Sequence, residues 1–279
     1  MEHLEDPRRG GPKKPGSPDV KKKELRAWGV ERWSLLLVVL ILLGIWELSH
    51  RAGAISGLFF PAPSIIFETF SRLIKNGKLA EHLYATLVRV LLGFVIGGGA
   101  GTMVGLVMGW SARLRVFFDP LIAAAHPIPK IATLPLIMVL LGIGESSRIA
   151  VIAIATFFPM LINTMAGVRQ IPTIHFDVAR NYGATLLKTF TRVIWPGSLP
   201  MILTGVRLAL NIALLIAIAV EMVASQEGLG AMIWLAWQTL RTEELYVSLL
   251  VISILGIFFN FLLQRVTDSL VPWKTDQEI

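Results

Sequence analysis

Arg207 and Asn211 stand four residues apart inside a long apolar stretch, about Leu199 to Ala224. A helix there carries both on one face. A charge set among apolar residues is costly, so it calls for a functional reading. Glu221 lies near the far end of the same stretch, Asn163 and Arg148 belong to the stretch before it, and Arg89 sits in an earlier one. These side chains could line a polar path that passes an anion through an apolar layer. They also have a structural use. Arg207 could pair with lipid headgroups or a neighbouring helix, Arg89 and Arg148 could snorkel to the boundary, and Asn163 could bond across helices.

Catalysis finds little to work with. The histidines His3, His50, His82, His126 and His175 are scattered, with no H-E-x-x-H and no metal-ligand spacing. No catalytic residue and no metal site is assigned. Cysteine is absent, so there is neither a disulfide framework nor a thiolate ligand. No G-x-x-x-x-G-K-[ST] loop occurs, so this chain has no such cradle for a nucleotide.

The elements that hold the polar residues are apolar helices. Of 279 residues 54% are hydrophobic and 16% charged, against about 25% charged in a soluble domain. Apolar runs separated by short polar stretches predict an all-α membrane protein with six transmembrane helices. The spans fall at about 33–48, 84–110, a third ending near Leu141, 148–167, 199–224 and 245–263. Between the first two, Ile65, Ile66, Phe70, Leu73 and Ile74 predict an amphipathic helix in the interface plane, ended by Asn76-Gly77. Gly93, Gly97, Gly101, Gly105 and Gly109 recur every four residues in the second span. They make a bare stripe for close helix packing, or else a flexible pathway wall. Pro127, Pro129 and Pro135 predict a broken element before the third span, with Lys130 inside the break. Phe157-Phe158-Pro159 suggests a kink in the fourth.

Nine of the 26 lysines and arginines precede Trp33, in a Pro- and Gly-rich lead. Nucleic-acid binding is one use of such a lead. Beside apolar spans it reads as a disordered basic cytoplasmic tail, residues 1–32, obeying the positive-inside rule, with no nucleic-acid partner. No cleavable signal peptide is expected. Six spans then put both termini in the cytoplasm, the permeating core at 33–270 and a short tail at 271–279. Arg51, Arg72, Lys75 and Lys78 fall on the outer side, against the rule.

One cytoplasmic loop, about 168–198, is patterned like helices. Thr173 could cap a first helix in which Ile174, Val178 and Tyr182 fall four apart. Gly183 breaks it. Thr185 could cap a second, apolar at Leu186, Leu187, Phe190, Val193 and Ile194, which Pro196 and Gly197 stop. So regular a loop suits docking of a soluble partner.

This loop resembles the EAA signature of ABC importer permeases: E-A-A, three residues, G, nine residues, I-x-L-P. The matching positions are Asp177, Val178, Ala179, Gly183, Val193, Trp195 and Pro196, with the spacing kept and Arg180 next in the first helix. Pro127-Ile128-Pro129-Lys130, Gly142-Ile143-Gly144-Glu145, Leu203-Thr204-Gly205-Val206-Arg207 and Glu221-Met222-Val223-Ala224 resemble the subgroup that imports nitrate, sulfonates, taurine or bicarbonate. The resemblance implies a type I importer fold in the bacterial inner membrane. It implies a homodimer, two ATPase subunits docked on the loop, and an extracytoplasmic solute-binding protein. This chain would bind no cofactor; ATP and magnesium belong to the partner ATPase. Rival readings are a secondary transporter or channel, a membrane anchor or scaffold, and an importer of a pyrimidine or flavin vitamin precursor.

Overall fold

A computed structural model describes residue 34 and residues 37–271. The basic lead, and the tail after Val271, lie outside the described residues. The chain divides into two units, Met1–Ile65 and Ile66–Ile279.

In the first unit, α1 spans residues 37–51 and is the described part of the expected first span. The Glu47 carboxylate accepts hydrogen bonds from Arg51 Nε (2.8 Å), Ser64 Oγ (2.8 Å) and Ser64 N (3.1 Å). Ser64 opens α2, Pro63–Lys75, so the carboxylate satisfies a free amide in the first turn of that helix. The α2 residues Ile66, Phe70 and Leu73 then pack on Leu229, Met232 and Val247, so this helix is partly absorbed into the fold.

The second unit is helical among its described residues, without strands. Its elements are α3 Lys78–Trp110, α4 Ala112–Ala125, a 3-10 turn Lys130–Thr133, α5 Leu134–Leu141, α6 Glu145–Arg169, α7 Thr173–Asn181, α8 Leu186–Thr189, a π turn Phe190–Ile194, α9 Trp195–Ala224, α10 Leu229–Gln238 and α11 Thr242–Leu270. Four helices are long and apolar enough to cross a membrane: α3, α6, the run Leu186–Ala224 and α11. The pair Ala112–Ala125 and Lys130–Leu141 would make a fifth, bent by 86°. That bend lies where the prolines predict a break.

Lys130 holds the break together. Its Nζ donates to the carbonyls of Ala125 (2.8 Å), His126 (3.0 Å) and Ile128 (2.8 Å), and lies 4.4 Å from the centre of the Phe158 ring. A cation on the orphan carbonyls at the end of α4 satisfies groups that apolar surroundings would otherwise leave bare.

Three helices, α3, α6 and α9, form the heart of the unit. The five α3 glycines lie along α6. A Cβ at Gly93 would sit 2.5 Å from Ile152 Cγ2, at Gly105 2.7 Å from the Leu161 carbonyl oxygen, and at Gly109 2.6 Å from Val168 Cβ. At Gly97 and Gly101 it would run into the carbonyls of Ala153 and Phe157. Lacking Cβ atoms, the two backbones approach closely and gain dispersion contacts, which drive association in lipid. A second stripe on α9 went unread in the sequence: Gly205, Ala209, Ala213 and Ala217, four apart and buried. It turns the opposite face of α9 away from its own bundle.

Candidate functional site

Each end of α9 carries a different arrangement. At the N-terminal end, α7 runs Thr173–Asn181 without a side-chain cap; its N-cap residue is Pro172, and Thr173 is already inside the helix. Proline favours this because its missing N–H costs nothing at a helix start, and its fixed φ suits the entry. Gly183 follows with φ +65°, a left-handed conformation that lets the chain turn sharply after the last carbonyls. Thr185 Oγ1 accepts from Lys188 N at 3.4 Å and caps α8.

Pro196 and Gly197 do not stop this second helix. It runs on as one 39-residue helix, Leu186–Ala224, through the π turn Phe190–Ile194. The wider turn just ahead of Pro196 is where its ring and missing donor are accommodated, so the helix continues. The second half of the loop, from Leu186, is therefore one helix with α9.

No residue of α7 is buried. Ile174, Val178 and Tyr182 are 60%, 46% and 87% exposed, and Asp177 and Arg180 are exposed beside them. Phe176, on the other side, packs toward Val168 and Ile194. A cleft of about 890 Å³ opens between α7 and the start of α9, edged by His175, Lys188 and Arg192 and floored by Ala179, Gly183, Pro196 and Gly197. An apolar helix face without a cover thus stands beside a cleft edged by basic side chains.

At the C-terminal end of α9, charges are buried and mutually satisfied. Arg89 is 2% exposed and Glu221 0%. Arg89 donates from Nη1 to Glu221 Oε1 (2.8 Å) and to the Glu227 carbonyl (2.7 Å), and from Nε and Nη2 to the two Glu145 oxygens (2.7 and 2.8 Å). Glu221 Oε2 accepts from Thr86 Oγ1 (2.9 Å) and Gly230 N (3.0 Å). Thr86 Oγ1 in turn accepts from Leu229 N, and His82 Nδ1 from Gly228 N. Arg148 pairs with Glu145 and donates from Nε to the Ala224 carbonyl at 2.9 Å. Arg89 therefore does not snorkel. It ties α3, α6, α9 and the loop before α10 together, a role that sequence spacing could not show because the partners are up to 138 residues away. Bidentate pairing to a carboxylate is the geometry that the guanidinium suits best.

The remaining polar residues lie between these ends. Asn163 Nδ2 donates to the Pro159 carbonyl of its own helix at 2.8 Å, while its Cβ faces Gly205. Arg207 and Asn211 are exposed, and among the described residues neither has a hydrogen bond or ion pair. Thr204 shares their face and bonds only to the Pro200 carbonyl of its own helix. The structure thus separates the polar candidates. Glu221 and Arg148 are engaged at the end of α9, and Arg207 with Asn211 is open at its middle.

Comparison with known proteins gives this arrangement its context. Residues 97–276 match the family described as binding-protein-dependent transport system inner membrane component. A protein of Bacillus subtilis (strain 168) named as an aliphatic sulfonates transport permease is 33% identical over 243 residues, covering 87% of this chain and 88% of its own length. The taurine transport system permease protein of Escherichia coli (strain K12) is 32% identical, covering 88% and 92%. The fold is similar to a chain of a bacterial ABC transporter involved in import of the acidic polysaccharide alginate, with TM-score 0.60, 17% identity, and coverage of 89% and 99%. The family is one of non-catalytic transport subunits, and this chain belongs to it: an ABC importer permease of the binding-protein-dependent inner-membrane type.

Proposed function

We propose that this chain forms the membrane path of an importer for a small anionic solute of the sulfonate or taurine type, driven by a separate ATPase that docks on α7. Six spans with both termini in the cytoplasm put α7 on the same side as the motor. Two permease copies pair, two ATPase subunits dock below, and a solute-binding protein delivers from outside. ATP and magnesium act on the ATPase alone.

The observation that carries this reading is α7 itself, a helix with an uncovered apolar face, joined by one tight turn at Gly183 to the continuous helix bearing Arg207 and Asn211. Val178 and Tyr182 would enter a groove on the ATPase, Asp177 and Arg180 would set its register, and Gly183 and Pro196 would shape the turn and the transmission. A stiff connection matters because a flexible one would dissipate the stroke. The names of the sulfonate and taurine permeases above support the solute class.

Two substitutions test the docking. Gly183→Pro cannot adopt φ +65°, and Asp177→Lys reverses a charge on the docking face. Both are expected to abolish co-purification of the ATPase or solute-stimulated ATP hydrolysis. Normal assembly and stimulation in both variants would sink the proposal. The solute is read from binding to the cognate solute-binding protein across alkanesulfonates, taurine, nitrate, bicarbonate and pyrimidine or flavin compounds. A pyrimidine or flavin preference would overturn the anionic assignment.

A further inference from the structure

Three helices of the second unit have an end at one level, on the side of α7. α3 ends at Trp110 and α6 at Arg169, and a Cβ on Gly109 would run into Val168. α9 begins at Trp195, and Gly197 meets Ile171 there. Trp110 and Trp195 are half-exposed, and Arg113, Arg169 and Arg192 are exposed near them in the chain. Tryptophans with basic side chains at one level mark a membrane–water boundary.

On the bundle side of that boundary, α3, α4 and α6 enclose a groove of about 590 Å³. All of its lining side chains are apolar, among them Val104 and Val107 of α3, Leu114 and Phe118 of α4, and Phe157 and Leu161 of α6. Leu161 and Phe157 stand eight and twelve residues before Arg169, which is about 12 and 18 Å deeper at a rise of 1.5 Å per residue. The groove therefore reaches about as deep as one leaflet, half of a layer about 30 Å thick. It is blind at that depth. Ala125 and Phe158 line its far end, and Lys130 grips both, through the Ala125 carbonyl at 2.8 Å and the face of the Phe158 ring at 4.4 Å. A helix crossing the membrane would need a groove that runs on, whereas the acyl chain of one leaflet does not.

The mouth is positive. Arg113 and Arg115 flank Leu114 at the start of α4, whose first turn holds no acidic residue. A helix start already carries positive charge, so two cations there add to the local field instead of cancelling it. Neither guanidinium has a hydrogen bond or ion pair among the described residues, and Asp119, the one acid of α4, pairs with neither. An apolar groove one leaflet deep, with an uncompensated positive mouth, has the polarity that complements an anionic phospholipid.

We infer that this groove binds one anionic phospholipid of the leaflet on the α7 side, with an acyl chain between α3, α4 and α6 and the headgroup phosphate on Arg113 and Arg115. The acyl chain fills apolar space to the density of a protein interior. The guanidiniums offer a phosphate paired N–H donors, and the negative headgroup offsets the positive start of α4. The lipid bridges α4 to α3 and α6 across a gap that the chain itself leaves. The inference needs α3 and α6 to span the membrane, and stands apart from the solute and the ATPase docking proposed above.

The test uses the full-length chain in bilayer discs of phosphatidylcholine with a trace of phosphatidylglycerol that carries a photoreactive group on one acyl chain. Crosslinks are expected in the groove, on Val104, Phe118 or Phe157. Unlabelled phosphatidylglycerol should compete better than phosphatidylcholine, by about fivefold for each arginine that holds the headgroup. Arg113→Gln and Arg115→Gln together should erase that preference and leave the chain folded. Val107→Trp, which fills the groove, should remove the crosslinks altogether. Inorganic phosphate should not compete, because it has no chain to bury; competition by it would make the mouth a phosphate site and overturn the lipid. Equal competition by the two lipids, or a preference that survives the double glutamine variant, would overturn the anionic headgroup. Crosslinks confined to Val116 and Phe117, which are exposed on α4 outside the groove, would mean that no acyl chain enters it. The chain has no cysteine, so a disulfide between two copies of the Phe118→Cys variant would show a second copy of the chain at the groove, and the inference fails there too.

Discussion

The two ends of α9 are built in opposite ways. At one end Arg89 and Glu221 are buried and paired, with Glu145 and Arg148 completing the network; at the other no residue of α7 is buried and apolar side chains stand in the open. The first arrangement fixes helices to one another, at a cost that only a complete set of hydrogen bonds repays. The second is held to the fold through Phe176 and by the turn into the one helix formed by α8, the π turn and α9. A buried cluster of charges and an exposed apolar helix are both departures from a simple bilayer protein. They differ in what finishes them: the first is completed by its own chain, whereas on the proposed docking the second is completed by the ATPase.

The contrast can be broken at its strongest point. Glu221→Ala leaves Arg89 buried beside a lost counter-charge and is expected to cost about 3–5 kcal/mol, read as loss of folded protein in a denaturant titration in mild detergent. Replacing Arg89 and Glu221 together by Met should cost less than the two single losses added, and a double-mutant cycle reports the difference. Gly101→Val forces a side chain into the Phe157 carbonyl and should cost about 1–3 kcal/mol, whereas Gly99→Val, where nothing lies within 4 Å, should change stability by less than about 0.5 kcal/mol. Val178→Ser sharpens the other side of the contrast. It should leave stability within about 0.5 kcal/mol of the parent while weakening ATPase binding by about 1–2 kcal/mol in a titration of the purified partner. Smallest of all, Lys78→Ala removes a half-exposed partner of Glu244 and should cost at most about 1 kcal/mol in the same denaturant titration.

What could be read in advance follows from the range of each interaction. Apolar runs, the glycine repeat and the proline-dense break are local patterns, and α3, α6, α11 and the 86° bend lie where those patterns point. The amphipathic segment after Phe60 is α2, although its inward face is covered by Met232 and Val247, which no local pattern announces. Helix starts moved outward: α3 begins at Lys78, α6 at Glu145 and α11 at Thr242, because polar end residues still complete a turn. The stretch around Trp234, between the expected fifth and sixth spans, is α10, whose apolar residues fill the space against α9 and α11. Pro196 misled because proline breaks a regular α-turn, and the turn ahead of it is not a regular one. Arg89 was the largest surprise. Its partners Glu145 and Glu221 come from other helices, and only the fold brings them within 2.8 Å.

The π turn has a consequence of its own. Each residue of an α-helix advances the direction of its side chains by about 100°. A turn that holds one residue more therefore resets the phase between what lies before and after it. Phe190–Ile194 sets the bearing of α7 around the axis of α9, and hence the direction in which the exposed apolar face of α7 looks relative to Arg207 and Asn211. Deleting a single residue there would swing α7 by about 100° and shift it by only about 1.5 Å along the axis. The apolar face of α7 and the exposed pair Arg207 and Asn211 would both survive intact, yet would point in a different pair of directions.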